Sequence, residues 1–148
     1  MSEPTPQLNG MIVCDTAFQQ APSGKWCVIG SYNTVLVREF PTTHMPFVVF
    51  LALSDFTGNV AMRLVVRDPE GTQLCEVRGQ FPKIPMTSVE LAMPFPPITF
   101  QRAGTHSLEL YHGNTMLHMR SFQVLQAQQA QQPQQRPEGE PPAEPTGD

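Results

Sequence analysis

The residues of this chain that could do chemistry are four histidines, three cysteines and an acid, Asp15, set inside an apolar run. A metal needs several ligands within one coordination shell. His106 and His112 stand six apart in one extended run, about 20 Å along a straight strand at roughly 3.3 Å per residue. No His-x-His pair is present, and His44 and His118 lie elsewhere. The sequence therefore predicts surface or turn histidines and no metal site. Cys14, Cys27 and Cys75 contain no Cys-x-x-Cys, which argues against structural zinc. A nucleophilic thiol needs a base and a lowered pKa. Cys14 has Asp15 beside it and no cation, so the cysteines read as small buried hydrophobes. Asp55, Asp68 and Glu70 fall in turns, where short polar side chains bond locally. No Gly-x-Ser-x-Gly, phosphate loop or dinucleotide fingerprint occurs. An enzyme using Cys14, Asp15 or a histidine ranks last, and neither catalytic residue nor cofactor is assigned.

Binding offers more. Asp15 shares a strand face with Met11, Val13 and Ala17. If that face is inward, its carboxylate needs partners, as a structural cap or in a polar pocket. Trp26, Tyr32 and Tyr111 supply stacking surfaces for a small ligand, a sugar among the candidates. For a protein partner the relevant residues are apolar. Phe81, Phe95 and Phe100 stand in proline-rich loops, and Val48 and Phe50 lie on the second face of Phe47 to Leu53, a run with no polar side. Such residues either plug the open ends of a sandwich or form a contact surface.

The elements that must position these groups are strands. Eleven of the 16 prolines lie before residue 126 and gather in clusters, such as Asp68-Pro69-Glu70-Gly71 and Pro94 to Pro97. Proline ends strands and helices, so the apolar runs between clusters are the elements. Val60 to Asp68 alternates, with Val60, Met62, Leu64 and Val66 on one side and Ala61, Arg63, Val65 and Arg67 on a wet one. Ser88 to Met93 repeats the pattern, and Met11 to Phe18 and Trp26 to Val37 also read as strands, the second bent or bulged at Gly30-Ser31. Asp68 to Gly71 fits a type I turn with Gly71 left-handed, and His112-Gly113-Asn114-Thr115 fits a type II′ hairpin. That hairpin pairs Leu110 with Leu117, Leu108 with Met119, Glu109 with His118 and Ser107 with Arg120. Phe122 and Val124 then fall on the wrong side, which predicts a bulge near Arg120-Ser121. Both faces of Phe47 to Leu53 being apolar, that strand is central and doubly covered, or its outer face meets another subunit.

The chain has 148 residues and a formal charge of -4. Residues 126–148 hold seven Gln, five Pro, four acids, one Arg and only three alanines as apolar content. This acidic Gln/Pro-rich tail cannot bury a core and is expected to be disordered. The near-neutral body lacks the basic face of a nucleic-acid binder, and no apolar run reaches the roughly 18 residues that span a bilayer. No secretion signal is visible in Met1 to Gly10, which leaves the thiols reduced and the chain expected in the cytoplasm.

Two resemblances add to this. Gln101 to Leu110, Gly113-Asn114 and Phe122-Gln123-Val124 resemble the closing hairpin of immunoglobulin-like and fibronectin-type sandwiches, with His106 where an aromatic often sits. Met11-Ile12-Val13-Cys14-Asp15, Gly24 to Gly30, Phe40-Pro41 and the Asp68 to Gly71 turn resemble an uncharacterised bacterial family of unknown function. That resemblance implies a small β-sandwich and carries over neither catalytic residue nor ligand.

The expectation is an all-β chain: a flexible end over 1–8, an antiparallel immunoglobulin-like sandwich of seven to nine strands over 9–125, and the tail over 126–148. The leading function is a non-catalytic cytosolic protein-interaction or scaffolding module acting through a sheet face or edge. Its partner is another protein or a second copy of this chain, with no nucleic acid and no membrane. The alternative is a ligand-binding sandwich built on Asp15, Trp26, Tyr32 and Tyr111.

Overall fold

Alternating apolar residues commit each run to a strand, and the proline clusters decide where runs stop. The computed structural model describes residues 5–44, 47–55, 60–81 and 88–127; the side chains of His44, Val60 and Phe81, and the tail from residue 128, lie outside the described residues. Within them the chain forms β1 (Gln7–Gln19), β2 (Trp26–Ser31), β3 (Thr34–Val37), β4 (Thr42–His44), β5 (Val48–Ser54), β6 (Val60–Arg67), β7 (Gln73–Phe81), β8 (Ser88–Pro94), β9 (Ile98–Phe100), β10 (Gly104–His112) and β11 (Thr115–Gln126). Nine of these build two facing sheets, ordered β2-β1-β5-β8 and β3-β11-β10-β6-β7; β4 and β9 make a separate ribbon. Pairings are antiparallel except β3 with β11, which run parallel from Thr34–Gln123 to Val37–Gln126. β1 begins at Gln7, inside the stretch expected to be flexible.

Both predicted turns are present. Gly71 has φ +86°, its N–H donates to Asp68 O, and the Asp68 carboxylate accepts from the amides of Glu70 and Thr72. Gly113 has φ +58° and His112 pairs with Thr115. The register beyond that turn differs from the expected one. The bulge lies opposite Leu110-Tyr111, at Leu117, and not near Arg120-Ser121. Leu108 therefore pairs with Arg120, and Met119 pairs with Glu109. A bulge anywhere between the turn and Ser121 restores the parity of Phe122 and Val124. The position it takes turns Arg120 toward the interior face.

The core is Val49, Leu51, Leu53 and Met93 of the first sheet against Met62, Leu64, Val66, Leu108, Leu110, Phe122 and Val124 of the second. Phe95 and Phe100, expected among the exposed contact residues, are buried here. Phe95 stacks on Phe47 at 4.7 Å, and Phe100 meets His106 and Phe122 edge-on at 5.2 and 6.3 Å. They plug the sandwich, because an aromatic ring buries more apolar area than any other side chain the loops offer. His106, expected at the surface, is 1% exposed. It takes the place of the aromatic that the hairpin resemblance puts there. Its Nδ1 lies 3.1 Å from Gly104 O, and Nε2 has no partner among the described residues.

The outer face of the second sheet is less wet than its pattern suggests. Val65 is fully buried between its cross-strand partners Glu76 and Glu109. Arg63 bonds Glu76 at 3.2 Å and lies over the Tyr111 ring at 4.4 Å; Arg67 bonds Glu109 at 2.7 Å, and Tyr111 donates to Glu109 at 3.0 Å. The long side chains close over Val65 with their own stems.

On the first sheet, Phe50 pairs with Ile12 and Trp26 with Gln19. Seven residues of straight strand would separate those positions by about 23 Å, yet the Trp26 and Phe50 rings are 5.4 Å apart. The β1–β2 hairpin therefore turns back over the outer face of β5. The bend is at Gly30, with φ +71°, where an added Cβ would lie 2.4 Å from Asp15 Oδ2. β5 is thus central, covered on its inner face and partly covered on its outer one by its own chain, Val48 and Phe50 being half-buried.

Two outcomes follow from these packings. Gly30→Ala should cost about 2–3 kcal/mol, against about 1 kcal/mol for Gly24→Ala, whose φ is similar but around which nothing lies within 4 Å; urea midpoints of the two variants measure the difference. Burial lowers the His106 pKa from its ordinary 6.5, outweighing the Gly104 carbonyl and Asp68, which favour the charged ring, while Arg102 opposes it. In that window the unfolded chain binds more protons than the folded one. The contribution of the neutral ring is complete above pH 6.5 and is lost as pH falls through the folded value. Unfolding midpoints should drop on acidification through this range, and His106→Phe should flatten that slope.

Candidate functional site

The aromatic and acidic candidates do not converge. Trp26 lies on Phe50, outside the first sheet, and Tyr111 lies under Arg63, outside the second. Asp15 is exposed, against Gly30, and not the buried acid considered from its strand face. The bend turns it away from the core face that Val13 occupies. Only Tyr32 and Asp15 are near one another: burial first, then the Asp15 and Cys14 charges, push the Tyr32 phenol up to about 12. Burial and Asp15 likewise push the Cys14 thiol up, the opposite of what a nucleophile needs. No group of three or more metal-ligating side chains gathers among the described residues.

What the fold leaves open is an edge. β1 uses its first half to pair with β5 and its second half to pair with β2. β11 pairs with β10 along its length, but β3 joins it only from Gln123 onward. Between Thr115 and Phe122, no described strand covers the other side of β11. Backbone directions follow from two bonds. The Gln123 N–H donates to Asn33 O at 2.9 Å, away from β10. Residues two apart point the same way, so Ser121 and Met119 present their N–H and C=O groups to the open side. The Tyr32 N–H donates to Val13 O at 3.0 Å, away from β5, so Met11 presents its carbonyl outward too.

Arg120 joins these two edges. From the inward side of β11 its Nη1 donates to Met11 O at 3.0 Å. On one side of this bridge lies a groove of about 390 Å³ lined by Pro6 to Met11, Leu117 and His118. On the other lies one of about 390 Å³ lined by Ile12, Ser31, Tyr32, Asn33 and Arg120. The described residues of the walls offer amides, hydroxyls and partly buried apolar groups, with two basic side chains and no acid among them. Such a surface offers hydrogen bonds and apolar contact to an extended chain; it has no nucleophile with a base beside it.

Sequence reasoning reached Tyr32 but not Arg120, Met11, Met119 or Ser121. A signal existed in the parity break before Phe122, and it pointed to the right strand. The proposed register set Arg120 beside Ser107 on the outer face, which hid its role.

The first sheet's outer side also carries Phe18 and Ile29, 45% and 52% exposed on the solvent face of the hairpin. No described helix is long and apolar enough to cross a membrane, which says nothing of strands.

No curated protein matches the chain. An immunoglobulin-like protein of known structure from Pseudomonas aeruginosa is similar over 84% of this chain and 100% of its own, at 15% identity and a TM-score of 0.40. The match that assigns the chain is to a family model over residues 9–125, nearly all of the sandwich, and on it the protein belongs to DUF6941, a family of unknown function.

Proposed function

We propose that the protein is a non-catalytic protein-interaction module that takes an extended segment of its partner as an added strand along the first half of β11. The observation that carries this reading is the late start of β3: from Thr115 to Phe122 no described strand pairs with the other side of β11, and the Met119 and Ser121 backbone groups are directed outward. Main-chain hydrogen bonds supply affinity in such pairing, and the side chains at the groove supply selectivity. The other apolar and charged surfaces support it less. The ladder around Val65 satisfies its own charges, and the outer face of β5 is partly covered by Trp26. The expected compartment is the cytoplasm, which suits three cysteines that form no disulfide with one another.

Proline at an edge position whose N–H faces outward removes a donor without breaking an internal ladder bond. Ser121→Pro should therefore leave the chain folded and weaken capture of its partners about fivefold, for the loss of one hydrogen bond at about 1 kcal/mol. Ser121→Ala, which keeps the N–H, should bind as the native chain does. A Ser121→Pro protein with native-like thermal unfolding and every partner retained in pull-downs would overturn the reading.

A further inference from the structure

The groove beside Arg120 has a charge that the rest of the chain answers. Of the described residues that line the two grooves flanking that side chain, His118 and Arg120 are basic and none is acidic; the described acids Asp15 and Asp55 lie nearby, the first close to Tyr32 and the second next to Ser54, which pairs with Gln7. Arg120 spends one donor on Met11 O. A guanidinium has five, so it can still take a carboxylate. Four of the chain's 13 acids, Glu138, Glu140, Glu144 and Asp148, follow the end of β11, with Arg136 the only basic residue of residues 126–148.

Reach favours the same pairing. Arg120 lies six residues before Gln126, about 20 Å back along the strand at roughly 3.3 Å per residue. Eleven residues separate Ala127 from Glu138. A coil of that length has an r.m.s. span of about 17–20 Å, and a tethered ligand reaches its highest effective concentration, in the millimolar range, when its span matches the distance. A contact too weak to hold a free peptide is populated under those conditions.

From these facts we infer that the acidic segment 138–148 folds back onto the Arg120 groove of its own chain and masks the open edge of β11. This rests on the strand-addition reading, to which it adds regulation: a partner strand must displace the tail. The carboxylates lie against Arg120 and His118, and the prolines among them cap the edge instead of extending it, since proline cannot donate to a ladder.

The test uses the full chain and a full chain carrying Glu138→Lys, Glu140→Lys and Glu144→Lys, changes at positions beyond the last strand, β11. By NMR, the Met119 and Ser121 amides and the Arg120 Nε–H should differ in shift between the two chains at low salt. The difference should collapse near 0.5 M salt, where charges are screened beyond about 3–4 Å. Superimposable spectra would overturn the inference. A second arm titrates each chain with a short peptide alternating valine and glutamate. Masking requires the reversed-charge chain to bind it at least about threefold more tightly, and equal affinities would overturn the masking while leaving strand addition intact. If the peptide perturbs the edge of neither chain, strand addition fails, and the shift comparison alone decides whether the tail docks.

Discussion

Tyr32 and Asn33 are neighbours in the chain, yet each is bonded to a different sheet. Tyr32 donates its N–H to Val13 of β1, and Asn33 accepts at its carbonyl from Gln123 of β11. These two bonds fix where the chain crosses from one layer to the other. The crossing point depends in turn on Gly30, whose positive φ ends β2 at Ser31 and lets Asp15 fill the space a side chain would need. Above the crossing, β2 and β3 cover the edges of β1 and β11. Below it no described strand pairs with either edge, and Arg120 is left to satisfy the Met11 carbonyl. One backbone bend therefore sets the fold-back of the hairpin over β5, the parallel pairing of β3, and the length of uncovered strand.

The two outer faces show why the edge carries the functional argument. On the second sheet, Arg63, Arg67, Glu76, Glu109 and Tyr111 bond one another across three strands and bury Val65 beneath them. A partner docking there would have to desolvate pairs that are already satisfied, and solvent-exposed pairs return little for that cost. On the first sheet, Trp26 occupies part of the apolar surface of β5. Unpaired backbone groups on an edge differ from both: among the described residues, their exchange of water for a partner's amides breaks no ladder bond.

Much of this was legible in the residues, and the failures have physical causes. Alternation in Val60 to Arg67 and the two glycine turns located strands β6, β7, β10 and β11, because period two and a left-handed glycine are local properties. The doubly apolar Phe47 to Leu53 was readable as a covered strand, though what covered it was not: that depends on a bend whose cost is shared by Gly30 and Asp15. For Phe95 and Phe100, which sit among prolines, the residues left open whether they plug the sandwich or form a contact surface, because loop backbone says nothing of where a side chain points. His106 looked like a surface group because type alone predicts exposure; its neighbours Phe100 and Phe122 are distant in sequence and adjacent only after folding. At the site, the error was one of bulge position. Hydrophobic parity counts how many residues must be skipped, not which one, and Arg120 changes face with that choice.

The face Arg120 takes also bears on what the edge will accept. An exposed edge strand invites copies of itself, and charge pointing inward from an edge is one way such pairing is prevented. Suppose two copies of β11 met antiparallel, with Met119 opposite Ser121 so that the outward backbone groups bonded. Arg120 would then face Arg120 of the second copy. Like charges directly opposite across a pair are destabilising, and these would be half-desolvated in the groove. A strand bringing an acid to that position would instead gain a charge-assisted bond. The same side chain that satisfies Met11 thus disfavours self-pairing and favours an acidic guest, so the selectivity of the edge rests on a residue whose register, and not its type, gives it the role.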